Sequence, residues 1–248
     1  MMNNPPELRL IVFDIGNTLV NAEELINACA HYAAKQMQRT GLNANADLLF
    51  SSYLEASRSL HHKHINRIFS DPLICAKALR TAHVANDEHE RYLLLTFFRR
   101  RLRQELRRDE SLIRSLSKLK ACGFLLAALS DGTITEQYEL LDRLGILLAF
   151  DQVRISESYG EEKQSVNIFS DLLADFGLDR YQALMVGDDL GRDMRWASEA
   201  GYRTVLQEEF VKHPAALIKR FATYIDYRVN SISELCELVS GGLTKPTK

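Results

Sequence analysis

Three short apolar runs in this 248-residue sequence end abruptly in polar, mostly acidic residues. These polar stretches are residues 14–18 (DIGNT), 130–132 (SDG) and 187–193 (GDDLGRD), and Lys163 follows a fourth run. A carboxylate fixed at the end of a buried strand can attack phosphorus, and a group of carboxylates can bind a hard cation through oxygen. The positions of these residues therefore indicate phosphate or metal chemistry, provided that folding brings them together.

The apolar runs have the length and composition of buried parallel strands. They are Leu8–Phe13, Phe124–Leu129, Val153–Ile155, Ala183–Val186 and Tyr202–Leu206. Helical spacing alternates with them near 111–121, 134–144, 165–176 and 192–200. This alternation predicts an α/β fold, a Rossmann-like parallel sheet with helices on both faces. In such a sheet the ligand binds beyond the carboxyl ends of the strands, which is where the polar stretches lie.

A long helical segment separates the first strand from the second. Residues 21–108 show the helical spacing of apolar side chains and contain no convincing strand. We therefore predict two domains, a sheet-forming core at 1–20 and 109–248 and a helical cap domain at 21–108. We expect the cap to close over the strand ends and to exclude water during the reaction.

The polar sites, in this order and each on a strand end, resemble the four sequence motifs of the haloacid dehalogenase-like (HAD) hydrolase superfamily. The resemblance extends from the first predicted strand to the last, and the helical segment lies where that family has its cap. An apolar strand ending in Asp is common, so one motif alone is weak, whereas four in order are specific. The resemblance implies a hydrolase that forms an aspartyl-phosphate on Asp14.

The resemblance also implies a Mg²⁺ site. Asp188 resembles the family's metal-binding acid and would hold the ion together with Asp14 and the backbone carbonyl of Gly16. Asp193 resembles the second acid of that motif, binding directly or through water. Asp189, which is adjacent to Asp188, competes for this role. Acids at such positions also occur as plain helix caps that complement the helix dipole.

Three further groups would bind or stabilise the phosphoryl group. Lys163 resembles the family's motif-three lysine, a point charge that offsets the charge of the nucleophile and the phosphate. Gln164 stands where the family usually has a proline after that lysine. Ser130 would donate to the transferring group at a helix start, where anions are favoured. The predicted substrate contacts are Thr18, Asp131 and Gly132.

Gly16 is the main departure from the family pattern. Phosphatases of this family usually carry a second Asp two residues after the nucleophile, which protonates the leaving group and then activates water. Alternation along an extended chain places both side chains on one face. General acid–base help is typically about 10²–10⁴-fold, so its loss corresponds to about 3–5 kcal/mol of barrier unless another residue substitutes.

Composition excludes several other classes of protein. The chain has 31 Lys and Arg against 33 Asp and Glu, so no overall charge attracts it to nucleic acid or to an anionic membrane. No apolar run is long enough to span a bilayer and the start lacks the features of a secretory signal, so we expect a cytoplasmic protein. The four cysteines form no C-x-x-C pair, which favours reduced, mostly packed thiols. Oligomeric state is left open.

Two basic clusters in the helical segment are ambiguous. His61, His62 and His64 with Lys63 could bind metal or phosphate, but neighbouring histidines point in different directions on a helix, so a basic patch is favoured. Arginines occur at 99, 100, 101, 103, 107 and 108 without interleaved aromatic residues, which indicates a solvated helix face rather than a nucleic-acid site.

The sequence thus favours a Mg²⁺-dependent phosphate-ester hydrolase acting on a small phosphorylated metabolite. Two alternatives stay open. A dehalogenase needs no Mg²⁺, so the acidic pair Asp188 and Asp193 weighs against it, while Gly16 weighs for it. A catalytically weak binding or regulatory module is the second alternative, to which Gly16 and Gln164 both point.

Overall fold

The computed structural model describes residues 7–41, 44–61, 72–85 and 87–243. They form two compact units, one made of Met1–Asn21 with Arg108–Lys248 and the other of Ala22–Arg107. That the second unit works as a cap stays a prediction. None of the described helices is long and apolar enough to cross a membrane.

The first unit contains one six-stranded sheet in which every neighbouring pair is parallel. The strand order is β3-β2-β1-β4-β5-β6. The strands are β1 (Leu10–Phe13), β2 (Leu125–Ser130), β3 (Gln152–Ile155), β4 (Ala183–Gly187), β5 (Arg203–Gln207) and β6 (Tyr227–Val229). β1 and β4 are fully buried, as expected for runs covered on both faces. The predicted α/β fold is confirmed.

The strand order reverses beside β1, because β2 lies on one side of it and β4 on the other. In open α/β sheets this switch point is where loops separate to opposite faces and leave a crevice for a ligand. The register pairs Phe13, the last residue of β1, with Ala128 and with Val186, so β2 and β4 end within two residues of that level. The residues that follow these strands therefore meet at one edge.

Helices connect the strands of this unit. Four helices of the second unit precede them in the chain, so their numbering begins at five. The helices are α5 (Glu110–Ala121), α6 (Ile134–Leu144), α7 (Ser156–Tyr159), α8 (Asn167–Asp175), α9 (Trp196–Ala200), α10 (Ala215–Phe221) and α11 (Ile232–Ser240). Short 3-10 turns lie at Leu147–Ala149 and Ala222–Tyr224, and a π-helical segment, Leu190–Arg195, runs directly into α9.

The second unit is helical within its described residues. Its helices are α1 (Ala22–Arg39), α2 (Ala46–His61), α3 (Pro72–Thr81) and α4 (Glu88–Glu105). Tyr53 and Phe98 are fully buried between them and stack with ring centroids 5.2 Å apart. Asp87 caps α4 by accepting from the amides of His89 and Glu90.

The carboxyl-terminal part of the first unit differs from expectation. Five strands were predicted, and β6 with the helices α10 and α11 was missed. β6 has only three residues, and the middle one, Arg228, is exposed and paired with Glu208. A strand this short, with a charged residue at its centre, has no apolar run that periodicity could detect.

Candidate active site

Asp14 lies immediately after β1, where its backbone N–H continues the ladder by donating to the Val186 carbonyl at 2.9 Å. Its side chain is buried, with a residue exposure of 6%. The carboxylate is thus held by a rigid strand end, at the point where β1 meets β4.

A tight turn follows Asp14. The amide of Leu19 donates to the Ile15 carbonyl at 2.9 Å, and Asn17, at φ 57°, donates to the Val20 carbonyl at 2.7 Å. This turn brings Thr18 back over the strand end, and its hydroxyl donates to Asp14 Oδ2 at 3.1 Å. Thr18 therefore contacts the predicted nucleophile directly. Gly16 lies in the turn and forms an isolated bridge with Val20.

Lys163 lies between two of the predicted acids. Its Nζ donates to Asp14 Oδ1 at 2.5 Å and to Asp193 Oδ1 at 2.6 Å, and only 3% of the side chain is exposed. Burial by itself would lower the pKa of Lys163, but Asp14 and Asp193 raise that pKa above its ordinary value. The lysine is therefore a fixed cation at this strand edge.

Asp14, Asp188 and Asp193 place carboxylate oxygens within 4.8 Å of one another. Burial raises the pKa of Asp14, against the opposing effect of Lys163. Burial, together with the charges of Asp14 and Asp193, raises the pKa of Asp188 well above its ordinary value, and burial raises the pKa of Asp193 to about 7. Three crowded carboxylates beside one lysine leave negative charge that a divalent cation would offset.

The chemistry of this donor set fits Mg²⁺, which prefers carboxylate oxygens and few protein ligands. Asp14 and Asp188 have oxygens directed into the cluster. Both oxygens of Asp193 already accept hydrogen bonds, one from Lys163 and the other from the Asp189 amide at 3.1 Å. Both Asp14 oxygens are likewise engaged, by Lys163 and by Thr18, so direct binding and binding through water stay the two roles expected for Asp193.

Asp189 and Asp193, which competed for one role, have different environments. The Asp189 carboxylate is not among the three clustered acids and caps the π-helical segment by accepting from the amides of Gly191 and Arg192 at 2.8 and 2.9 Å. Asp193 is fully buried and folds back against the end of β4. A Cβ on Gly187 would lie 2.3 Å from Asp193 Oδ2, so only glycine permits this approach.

The loop after β2 uses its polar groups mainly to hold other loops. The Asp131 carboxylate accepts from the Lys163 amide at 3.0 Å and from the Arg192 guanidinium at 3.0 Å. The Gly132 amide donates to Ser156 Oγ at 3.0 Å, so it is engaged within the protein. Ser130 is buried at the strand end, where its hydroxyl makes a 3.3 Å contact with the Asp131 carbonyl.

Sequence reasoning missed Arg192, although it stands within the predicted motif. Its guanidinium pairs with Asp131 and lies 3.8 Å from Glu162. It thereby links the loops that follow β2, β3 and β4. The available signal was an arginine between two motif acids. The direction in which its side chain points, however, depends on the π-helical turn.

The structure describes only part of the basic clusters of the helical segment. His62, Lys63 and His64 lie outside the described residues, and His61 is the last residue of α2. Arg101 contacts the ring of Tyr32 at 5.7 Å within the second unit and forms an ion pair with Glu105. Arg101 therefore packs against neighbouring side chains, whereas a solvated position was predicted for it.

A sequence profile of haloacid dehalogenase-like hydrolases matches residues 11–207. The chain therefore belongs to the haloacid dehalogenase-like hydrolase family, as the order of its motifs predicted, and it is a hydrolase. The glyceraldehyde 3-phosphate phosphatase of Methanocaldococcus jannaschii is 29% identical over 238 residues, which is 92% of this chain and 96% of the relative. The enzyme of the same name from Methanopyrus kandleri is 30% identical over 207 residues, covering 80% and 83%.

A solved structure with a similar fold is named for a different reaction. The 2-haloacid dehalogenase of Pseudomonas syringae pv. Tomato DC3000 superposes with a TM-score of 0.66 over 94% of this chain and 99% of that one, at 20% identity. This likeness establishes the fold and leaves the reaction to be argued from the site.

Proposed function

We propose that this protein is a Mg²⁺-dependent phosphatase that hydrolyses phosphate monoesters of a small metabolite through an aspartyl-phosphate on Asp14. The observation that carries the proposal is the Asp14 carboxylate, held at a strand end between the Lys163 ammonium and the Asp188 carboxylate. The two archaeal relatives are named for a three-carbon sugar phosphate. Glyceraldehyde 3-phosphate is therefore the first substrate to assay.

The chemistry consists of two displacements. An Asp14 oxygen attacks phosphorus, the bond from phosphorus to the ester oxygen breaks, and the leaving oxygen departs with the electron pair and takes up a proton. Water then attacks the same phosphorus, which releases the Asp14 carboxylate, inorganic phosphate and a proton. Dividing the reaction in this way replaces one difficult step by two easier ones.

The residues around Asp14 serve this reaction by position and charge. Lys163 and Thr18 hold its two oxygens at 2.5 and 3.1 Å, so the nucleophile has one orientation. Lys163 also offsets the charge of an incoming phosphate dianion. Ser130, buried at the neighbouring strand end, is proposed to donate to the transferring phosphoryl group.

Asp14, Asp188 and the Gly16 carbonyl would hold the Mg²⁺, with Asp193 acting directly or through water. When bound, the ion neutralises charge on the nucleophile and the phosphoryl oxygens. A dehalogenase attacks carbon beside a carboxylate and has no need of this cation, so the acidic cluster favours the phosphatase. The binding-module alternative is distinguished by the following test.

Replacing Asp14 by Asn should abolish turnover while the fold is retained, because the amide keeps the shape but lacks the nucleophilic carboxylate. Activity of the wild type should vanish in excess chelator and return with Mg²⁺. Asp188→Asn should lose activity as well. The matched control is Asp189→Asn, whose side chain still caps the helix start and should leave most turnover intact.

The measurement is phosphate release from glyceraldehyde 3-phosphate and a panel of other phosphorylated metabolites, with circular dichroism to verify folding. Full activity of Asp14→Asn, or of the wild type in chelator, would contradict the mechanism. A wild type inactive on this panel and on 2-haloacids would instead favour the binding module.

A further inference from the structure

The peptide that joins Asp188 to Asp189 is held at both ends. Its N–H, on Asp189, donates to Asp193 Oδ2 at 3.1 Å. Its carbonyl oxygen, on Asp188, lies 2.7 Å from Nε2 of His213. A carbonyl oxygen has no hydrogen to give, so Nε2 of His213 is the donor and must carry the proton of this bond. The two contacts together fix the plane of the peptide.

His213 reaches this peptide from a distant part of the chain. It belongs to the segment 208–214 between β5 and α10, 25 residues from Asp188. The segment is anchored independently of the site: Lys212 Nζ donates to Asn230 Oδ1 at 2.8 Å, and the Pro214 carbonyl accepts from the amides of Leu217 and Ile218. The imidazole therefore approaches Asp188 from a fixed support.

A peptide fixed in this way limits where the Asp188 side chain points. The backbone angle ψ of Asp188 relates the plane of the 188–189 peptide to its Cα–Cβ bond, so a fixed peptide on one side and β4 on the other limit the directions that the carboxylate can take. The chain leaves β4 at this residue, so the strand ladder gives it no further support. Outer hydrogen bonds that orient a metal-binding group are typically worth about 10–100-fold in metal affinity.

We propose that His213 is a positioning residue for the metal site, which orients Asp188 by donating from Nε2 to its carbonyl. This proposal rests on the function proposed above, because it takes Asp188 as a ligand of Mg²⁺. It assigns His213 no contact with the substrate and no transfer of a proton. The segment after β5 thereby becomes part of the site.

The test is Mg²⁺ binding to the full chain without substrate, measured by calorimetry, in the wild type and in three variants. His213→Ala removes the donor and should weaken Mg²⁺ binding by about 10–100-fold. His213→Gln places an amide N–H near the position of Nε2 and should restore most of the affinity. Lys212→Ala loosens the same segment but keeps the imidazole donor, so it should weaken Mg²⁺ binding much less than His213→Ala.

Thermal unfolding in chelator reports whether each variant folds. If His213→Ala fails to fold, His213→Asn replaces it, since its shorter amide remains polar but cannot reach the Asp188 carbonyl. Wild-type affinity in a folded Ala or Asn variant would overturn the proposal for His213. It would leave the phosphatase proposal intact, because the Asp14→Asn assay tests that proposal separately. Loss of affinity in Lys212→Ala equal to that in His213→Ala would also overturn it. A wild type that binds no Mg²⁺ would overturn both proposals.

Discussion

The proposed nucleophile, Asp14, is held firmly but has no acid two residues further along the chain. Lys163 and Thr18 hold its carboxylate, and the residue two positions on, Gly16, has no side chain. Gly16 is not among the glycines with positive φ, so its backbone conformation accepts an L side chain. We therefore expect position 16 to affect which leaving groups depart readily.

Gly16→Asp should raise turnover of alkyl phosphates, such as sugar phosphates, by about tenfold or more, because it supplies the missing general acid and base. Aryl and acyl phosphates, whose leaving groups depart without a proton, should gain much less. Steady-state kinetics on a sugar phosphate and an aryl phosphate measure the ratio.

Gly16→Asn is the matched control, since it has the same size but cannot donate a proton as an acid. An equal gain in both variants would assign the effect to the turn rather than to acid catalysis. Brisk wild-type hydrolysis of sugar phosphates with no gain in Gly16→Asp would mean that another group replaces the acid.

At the scale of elements, the site depends on how β4 ends and the π-helical segment begins. β4 finishes in Gly187, the chain passes through Asp188, and the segment turns back so that Asp193 touches the strand end. The amides of Asp193 and Met194 both donate to the Asp189 carbonyl, at 2.9 and 3.1 Å, which tightens this return. The close approach places Asp193 beside Lys163.

Gly187→Ala should therefore destabilise the protein by about 1–3 kcal/mol, because its Cβ would lie 2.3 Å from a buried carboxylate oxygen that cannot retreat. Mg²⁺ binding should weaken in parallel as Asp193 is displaced. Gly191→Ala is the control, since its Cβ meets nothing nearer than Asp189 Oδ1 at 3.5 Å. Urea unfolding and calorimetry provide the two measurements, and equal behaviour of both variants would refute the steric argument.

At the scale of the whole molecule, three of the four cysteines are buried, and each unit contains at least one of them. Cys29 and Cys75 are buried in the helical unit and Cys236 in the sheet unit, while Cys122, at the end of α5, is exposed. Burial raises the pKa of the Cys29 thiol to about 12. These thiols therefore report on the integrity of each unit separately.

Alkylation of the native protein near pH 8 should label Cys122 rapidly and the three buried thiols slowly, whereas all four should react in denaturant. The raised pKa of Cys29 favours its neutral form, so its contribution to stability is complete below the ordinary thiol pKa. It is lost as the pH rises from about 9 towards 12. Mass spectrometry of the modified peptides gives the rates, and rapid native labelling of Cys29 would contradict the packing.

The sequence by itself determined the fold class, the family and the strand-end positions of the acidic residues. Apolar runs that stop at polar residues are a local signal, and the carboxyl ends of neighbouring parallel strands meet at one edge. Asp14 and Lys163 could thus be expected together although they lie 149 positions apart in the sequence. The short strand β6 carries no such local signal.

Only the tertiary structure decided the direction of each polar group at that edge. Asp189 caps a helix start while Asp193 faces Lys163, and the Gly132 amide bonds to Ser156. His213 reaches the Asp188 carbonyl from beyond β5. Adjacent acids have the same chemistry, so their roles depend on the backbone angles of the loop. Those angles are set by contacts with groups far away in the chain, which spacing along the sequence does not encode.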